Sequence, residues 1–189
     1  MEREHRRQWL DLKVEAIQQL RADYPQPGCR RELQVISRPS FLPWVSLALH
    51  PREKKEVAKK AMLVRATWRR DIDLEKFRDP VTRLKYPAVL SPTIQFATSE
   101  VDDSFAKSSL DFLGALRLPL YTRDESISLD GTMYEVALGS YLATTTFRFH
   151  EDCPPQWQEL KDWVSRWIAD LDDKSRSWIA IAPSPTAAD

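Results

Sequence analysis

The chain has 189 residues, of which 42% are hydrophobic and 30% charged, and its formal net charge at pH 7 is zero. These values exclude an intrinsically disordered chain, which combines low hydrophobicity with high net charge. They also argue against a general polyanion-binding protein, whose affinity comes from an excess of Lys and Arg. No segment approaches the roughly 20 apolar residues of a membrane helix, and the residues up to Arg7 lack the apolar core of a secretory signal. We therefore expect a cytoplasmic protein with a single α+β domain over residues 1–182 and a flexible tail over residues 183–189.

Residues 4–24 are predicted to form the first helix, because apolar residues recur there at three- and four-residue steps. The predicted apolar stripe consists of Leu10, Val14, Ile17, Leu20 and Tyr24. Trp9 and Ala16 widen the stripe, and we expect it to pack on a sheet. Pro25, Pro27 and Gly28 would end the helix.

Two short strands are predicted next, at residues 33–37 and 44–49. In the second strand, one face carries Val45, Leu47 and Leu49. The proline-containing segment 38–43 between the strands is typical of a turn. We therefore expect a β-hairpin packed beside the first helix.

Residues 51–76 permit two interpretations. Residues 51–60 are highly charged and begin with a proline, which the first turn of a helix accepts. Residues 63–68 are rich in β-branched side chains, which favours a strand after that helix. The alternative is one long helix to about Phe77, since Val64, Trp68 and Ile72 also recur at helical spacing.

Prolines at positions 80, 87 and 92 interrupt the chain, so residues 77–92 are predicted to form an extended surface connection. A strand is expected at residues 93–98. Asp102, Asp103 and Ser104 then offer side-chain oxygens that suit the N-terminal cap of a helix. That helix would end before Pro119.

The clearest pattern lies in residues 126–171, where two hairpin signals lead into an amphipathic helix. Asp130-Gly131 suits a type I′ turn between two strands, and Gly139-Ser140 marks a second turn. The buried face of the last strand would carry Tyr141, Ala143, Thr145, Phe147 and Phe149. After Pro154-Pro155, the apolar stripe of the helix consists of Trp157, Leu160, Val164, Trp167, Ile168 and Leu171, with Trp163 beside it. The pattern predicts a three-stranded meander covered by this helix.

Together these elements predict an α+β fold, in which three or four helices pack on a mostly antiparallel sheet of about six or seven strands. The four glycines are not spaced as a phosphate-binding loop, and no GxSxG nucleophile elbow occurs. The two cysteines lie far apart, without the CxxC spacing of zinc and redox sites. We therefore expect no cofactor, no metal and no catalytic residues.

A basic segment is the first candidate for binding. Residues 52–70 contain eight Lys or Arg against two Glu, a local excess of six positive charges. Trp68 lies among Arg65, Arg69 and Arg70, an aromatic and basic arrangement of the kind that stacks on single-stranded nucleic acid. In the alternative interpretation, the charges form a solvated face and Trp68 belongs to the core.

An acidic junction is the second candidate. Residues 150–174 carry seven Asp or Glu against three Lys or Arg, and Glu151 and Asp152 lie between the last strand and the helix. The run His150-Glu151-Asp152-Cys153 contains four possible metal ligands, but tetrahedral sites normally draw ligands from more than one segment. We prefer a polar loop near a helix N-terminus, where negative charge is favoured. Such charge asymmetry would steer a charged partner.

The runs LDGTMYE at 129–135 and PQWQEL at 155–160, with the aromatic strand between them, resemble the C-terminal part of uncharacterised bacterial cytoplasmic proteins. Some of those proteins are grouped with immunity proteins, so the resemblance implies an inhibitor that occludes a toxin. From the residues themselves we expect a non-catalytic protein that binds another protein. We expect no binding to a membrane. The candidate contact residues are Arg65, Trp68, Arg69, Arg70, Glu151 and Asp152. The alternative is nucleic-acid binding through residues 52–70.

Overall fold

The computed structural model describes residues 2–22, 31–50, 60–81, 91–119, 130–139, 144–173 and 178–181. The helices in this part of the chain are α1 (Glu2–Arg21), α2 (Arg70–Arg78), α3 (Asp103–Ala115) and α4 (Gln158–Asp173), and a short 3-10 turn (Pro155–Trp157) leads into α4. The strands are β1 (Leu33–Pro39), β2 (Trp44–His50), β3 (Lys60–Trp68), β4 (Ile94–Asp102), β5 (Thr132–Gly139), β6 (Thr144–His150) and β7 (Ile179–Ile181).

The seven described strands form one antiparallel sheet in the order β6-β5-β1-β2-β3-β4-β7. The predicted α+β fold class is therefore confirmed. β1 and β2 form the predicted hairpin, in which Val35 lies opposite Leu47. On its other edge β1 pairs with β5, with Val35 opposite Val136. This pairing joins two strands that lie about 100 residues apart in the chain.

Side-chain alternation divides the sheet into two faces, and helices cover parts of both. On the first, which we call the α3/α4 face, alternating strand residues such as Val35, Leu47 and Val136 pack against α3 and α4. On the second, the α1/α2 face, Trp44 and Trp68 pack against α1 and α2. The fold is thus a three-layer arrangement with two hydrophobic cores.

Helix α4, which carries Trp163 and Trp167, packs as its sequence pattern predicts. Four residues of the α4 stripe are buried in the α3/α4 core: Leu160, Val164, Trp167 and Leu171. Trp163 stacks on Phe112 of α3, with ring centroids 5.5 Å apart. The indole Nε1 of Trp167 donates to Ser109 Oγ at 3.0 Å, which satisfies the polar atom of a buried tryptophan.

The predicted helix at residues 4–24 is confirmed as α1. The predicted stripe is confirmed at four residues that pack in the α1/α2 core, Trp9, Ala16, Ile17 and Leu20, and is wrong at Leu10 and Val14. Leu10 and Val14 are half exposed, whereas the buried residues are Leu12, Ala16 and Leu20. The physical reason lies in the opposing surface. Trp44 and Trp68 project from the sheet beneath α1, and a stripe centred on the small Ala16 lets the helix approach those rings.

Residues 60–78 form a strand followed by a separate helix. β3 confirms the strand predicted at 63–68, and the alternative of one continuous helix to Phe77 is wrong. α2 lies where the sequence predicts no separate helix, and it includes Phe77, which the pattern assigns to an extended connection. Only Asp73 and Phe77 of α2 are buried, so its apolar pattern is too short to stand out.

β5 and β6 form the second of the two predicted hairpins, with Val136 opposite Phe147. The predicted meander is wrong in its first strand, because the other edge of β5 pairs with β1. Gly131 has a φ of 115°, a left-handed conformation that favours glycine. Its carbonyl oxygen accepts hydrogen bonds from the backbone N and Oγ of Ser40, so this glycine joins β5 to the end of β1.

The remaining predictions have mixed outcomes. The strand predicted at 93–98 is confirmed and extends to Asp102, where α3 begins without a side-chain hydrogen bond from that residue. The described residues leave out residues 51–59 of the helix predicted at 51–60, the strand before Asp130, most of the connection over 77–92 and the tail at 183–189. Lys60, the last residue of that predicted helix, belongs to β3. None of the described helices combines the length and the apolar content needed to cross a membrane.

Candidate functional site

Four of the predicted contact residues lie at the same end of the sheet, because Arg69 and Arg70 follow β3, and Glu151 and Asp152 follow β6. β1 and β3 end here and β2 begins here, since Trp44 pairs with Trp68, and β6 also ends here, since Met133 pairs with His150. We call this surface, formed by residues 39–44, 68–71, 130–132 and 150–152, the tip end. The strand order places β5, β1 and β2 between β6 and β3. Four strand spacings of about 4.8 Å, or about 19 Å, therefore separate the end of β3, which leads to Arg69 and Arg70, from the end of β6, which leads to Glu151 and Asp152. Lys60, at the other end of the described part of the basic segment, lies at the opposite end of β3.

Trp68 is a core residue. It is fully buried, and its ring lies 4.7 Å from that of Trp44 and 5.9 Å from that of Trp9. Its Nε1 donates to Asp73 Oδ2 at 2.7 Å. Asp73 also accepts hydrogen bonds from the backbone N and the hydroxyl of Thr93, at 2.8 and 2.5 Å. The interpretation of Trp68 as core is therefore confirmed, and its ring has no surface on which a base could stack.

Arg65 and Arg69 are each held by a carboxylate. Arg65 lies on the α3/α4 face, where its Nη1 bonds Asp172 Oδ1 at 2.8 Å. Arg69 makes two hydrogen bonds to Asp71, at 3.0 and 2.7 Å. The Arg69 hydrogen bonds lower the pKa of Asp71 to about 2. These two arginines therefore do not form one basic surface with free charge.

Arg70 connects α2 to the turn between β1 and β2. Its Nη1 donates to the carbonyl oxygen of Ser40 at 2.6 Å, and its guanidinium lies 6.0 Å from the centre of the Trp9 ring. Trp44 fixes the same turn, since its Nε1 donates to the carbonyl oxygen of Pro39 at 3.3 Å. With the two bonds from Ser40 to Gly131, four hydrogen bonds restrain the turn.

This restrained turn presents two large apolar side chains to solvent. Phe41 is 84% exposed and Leu42 is 65% exposed, and they lie between the strands that carry the basic and acidic segments. From the sequence, both residues are predicted only to belong to a turn. Their exposure nevertheless has a signal in the sequence, because Gly, Pro, Asn, Asp and Ser are the usual residues of turns and a bulky apolar pair is not.

The acidic junction is an ordered continuation of β6. Glu151 accepts a hydrogen bond from the backbone N of Thr132 at 3.0 Å, and its own backbone N donates to the Thr132 carbonyl at 2.8 Å. The carboxylate of Asp152 lies 3.9 Å from His150 Nδ1. Among the described residues, no three His, Cys, Asp or Glu side chains cluster as a metal site would require. The junction thus contributes negative charge to one side of the tip end.

A cluster of arginines on the α1/α2 face is not apparent from the sequence. Glu135 of β5 is buried and accepts hydrogen bonds from Arg21 at 2.8 and 2.5 Å and from Arg148 Nε at 2.9 Å. Arg38 of β1 lies two residues after Ile36, which pairs with Glu135, so the Arg38 side chain projects from the same face of the sheet as Glu135. These four residues come from α1, β1, β5 and β6, so only the strand order brings them together. We call them the arginine cluster.

A small cavity with a mixed polar and apolar lining lies beneath the C-terminal part of α1, lined in part by Leu20, Gln34, Ser46 and His50. Gln34 Nε2 donates to the Leu20 carbonyl and to Ser46 Oγ, both at 2.7 Å. The cavity volume is about 10 Å³, the size that holds one water molecule. A cavity of this volume is too small to hold a substrate.

No protein-family model, curated protein or solved structure matches this chain. The resemblance of the C-terminal segments to immunity proteins stays a prediction. The geometry of the tip end and of the arginine cluster is therefore the basis for an inference about function.

Proposed function

We propose that this chain acts by binding another protein through the tip end, with Phe41 and Leu42 as the central apolar contacts. The observation that carries the proposal is the exposure of these two side chains, 84% and 65%, on a turn that hydrogen bonds hold in place. Exposed apolar groups at the centre of a polar surface are typical of protein interfaces.

The restraint of the turn favours binding. Burying a Phe or Leu side chain stabilises a complex by about 1.5–3 kcal/mol relative to leaving it in water. Association also costs the entropy of ordering loops and side chains, and a preorganised turn lowers that cost. Because Ser40 is tied to both Gly131 and Arg70, the turn backbone is already ordered before a partner arrives.

The charges around the turn would set orientation. Arg70 lies on one side, and Glu151 and Asp152 lie on the other. Charges at the rim of an interface contribute more to partner selection and association rate than to affinity. Arg70, Glu151 and Asp152 thus have a place in this proposal as the rim of the interface, with the apolar pair at its centre.

An inhibitor of the immunity type, which occludes a surface of its target, is one form of this function. Nucleic-acid binding finds less support among the described residues. Trp68 is buried, and Arg65 and Arg69 are paired with carboxylates. Residues 52–59 of the basic segment lie outside the described part of the chain.

The test is an affinity pull-down from a lysate of the source organism, analysed by mass spectrometry, with the intact chain and three variants. Phe41→Ser and Leu42→Ser each remove one exposed apolar side chain from the tip end. Ile179→Ser is the matched control, because Ile179 is 70% exposed on β7, at the opposite edge of the sheet from β6.

We expect a protein that the intact chain and Ile179→Ser retain and that both tip-end variants lose. The purified pair should then bind at least tenfold more weakly when Phe41 is replaced, as a loss of about 1.5 kcal/mol or more implies. Retention that is equal for all variants would contradict the proposal. So would recovery of nucleic acid in place of a protein, abolished by nuclease treatment.

A further inference from the structure

The arginine cluster contains more positive charge than its carboxylate balances. Arg21, Arg38 and Arg148 surround Glu135, so three guanidinium groups face one carboxylate, an excess of two positive charges. The carboxylate oxygens already accept one bond from Arg21 Nε, one from Arg21 Nη2 and one from Arg148 Nε. Arg38 makes none of these bonds.

Arg38 is the poorly compensated member. Its Nε is buried and has no hydrogen-bond partner among the described residues. Its guanidinium lies 5.9 Å from the centre of the Trp44 ring. Burial lowers the pKa of Arg38, and the neighbouring charges of Arg21 and Arg148 lower it further, against the opposing effect of Glu135. Its positive charge is therefore held in an unfavourable environment that an added anion would improve.

The cluster is accessible from solvent. The side chains of Arg148 and Arg21 are 59% and 37% exposed. Thr144 and Thr146 lie on the same face of β6 as Arg148, because side chains two residues apart share a face, and both are exposed. Among the described elements, α1 packs mainly on β2, β3 and β4.

We propose that the arginine cluster binds carboxylate groups of an acidic segment in the protein partner. This inference rests on the proposed protein-binding function and adds the chemistry of the partner. Glu135 provides the template for the contact: a planar carboxylate accepts two parallel N–H bonds from Arg21 and a third from Arg148. A second carboxylate would take N–H groups of Arg38 and Arg148 in the same charge-assisted manner.

The position of the cluster agrees with this proposal. Arg38 is separated from Ser40 of the restrained turn by one residue, and Pro39 pairs with Thr132 next to the acidic junction. A partner bound to Phe41 and Leu42 could therefore also contact Arg38, because Arg38 lies next to the turn that carries those two residues. We infer a partner surface with an apolar depression and acidic residues beside it.

The test uses a probe in place of the partner. A hexaglutamate peptide is titrated into the full chain, and the Nε–Hε resonances of the arginines are followed by NMR. We expect saturable shifts at Arg38 and Arg148, with binding that weakens as salt rises from 50 to 200 mM, an effect of screening. Arg69, whose bonds go to Asp71, should not shift.

Four variants make the result specific. Arg148→Gln and Arg38→Gln should each weaken peptide binding at least tenfold, while Arg69→Gln leaves it unchanged. Because loss of Arg148 removes a bond to Glu135, Arg148→Lys is the second variant at that position. It keeps the charge but lacks the planar fork, and it should weaken binding several-fold with the thermal midpoint preserved.

An absence of shifts at millimolar peptide would overturn the proposal, as would equal weakening by Arg69→Gln. Tighter binding of inorganic phosphate than of the peptide would overturn the choice of carboxylate. The two proposals fail separately. If the peptide binds but Phe41→Ser has no effect in the pull-down, the tip-end interface alone is refuted. If Phe41→Ser loses the partner but the peptide does not bind, the acidic partner alone is refuted.

Discussion

Replacement of Glu135 by Gln tests the electrostatics on which the arginine cluster depends. Gln has nearly the same shape as Glu, but it removes the only carboxylate that the described residues place among Arg21, Arg38 and Arg148. Three guanidinium groups would then face one another around a neutral amide. The amide NH₂ group would also point its hydrogens towards guanidinium donors, so one of the present bonds would be lost.

The expected loss of stability is larger than that of a surface ion pair. Glu135 is 4% exposed, but Arg21 and Arg148 are 37% and 59% exposed, so water screens the charges that remain after the substitution. The loss should therefore be about 1–3 kcal/mol, below the roughly 3–5 kcal/mol of a pair buried on both sides. Whole domains are stable by only about 5–15 kcal/mol. Glu100→Gln is the matched control, since its ion pair with Lys60 at 3.2 Å is about half exposed on both sides. Such surface pairs contribute about 0–1 kcal/mol.

The pH dependence gives an independent check. Burial by itself raises the pKa of Glu135, but the hydrogen bonds and charges of Arg21 and then Arg148 hold it below its ordinary value of 4.5. The folded state therefore binds fewer protons than the unfolded state near pH 4.5. The contribution of Glu135 is fully present above that pH and is lost as the pH falls through the lower, folded-state pKa.

Urea unfolding of the intact chain, Glu135→Gln and Glu100→Gln at several pH values between 3 and 7 measures both effects. The gap in unfolding free energy between the intact chain and Glu135→Gln should be about 1–3 kcal/mol at pH 7 and should shrink as the pH falls below about 4.5. A gap at pH 7 no larger than that of Glu100→Gln would refute the reasoning. A gap that stays constant with pH would show that packing, and not charge, is responsible.

Two further substitutions test the tip end and its support. Asp73→Ala should destabilise the chain by about 3 kcal/mol, since three hydrogen bonds to a buried carboxylate are lost at about 1 kcal/mol each. Thermal unfolding followed by tryptophan fluorescence measures this loss, and a value below about 1 kcal/mol would contradict the prediction. Gly131→Ala should destabilise by at least about 1 kcal/mol, because φ is 115° and a Cβ would lie 2.7 Å from His150 Cε1. Gly114→Ala, with nothing within 4 Å of its new Cβ and a helical backbone, should instead stabilise the chain by about 0.5–1 kcal/mol in the same thermal unfolding measurement. Equal effects of the two glycine substitutions would refute the strain argument.

The helices show how far periodicity carries a prediction. α4 has one strongly apolar side, and the buried stripe read from its sequence is the stripe that packs. α1 has two overlapping stripes, one through Leu10 and Val14 and one through Leu12 and Ala16. Both satisfy helical spacing, so the choice between them depends on the surface beneath. The rings of Trp44 and Trp68 select the side with Ala16.

The tip end was only partly accessible to sequence reasoning. Arg69, Arg70, Glu151 and Asp152 stand out as charges near element ends, and the structure places all four at one end of the sheet. Which of these charges has a bonding partner depends on contacts between separate elements. Arg70 bonds the Ser40 carbonyl, 30 positions away in the chain, and no local pattern reports such a bond.

The sequence by itself determined the local elements of this protein and its α+β class, because helices and strands with one buried side carry periods of 3.6 and 2. Only the tertiary structure decided the neighbours. β1 pairs with β5 across nearly 100 residues, and Arg21 meets Glu135 across 114 positions. Pairing between distant strands is selected by the packing of the whole sheet and not by the residues next to each strand. For that reason the exposed turn could have been read from the sequence, whereas the arginine cluster could not.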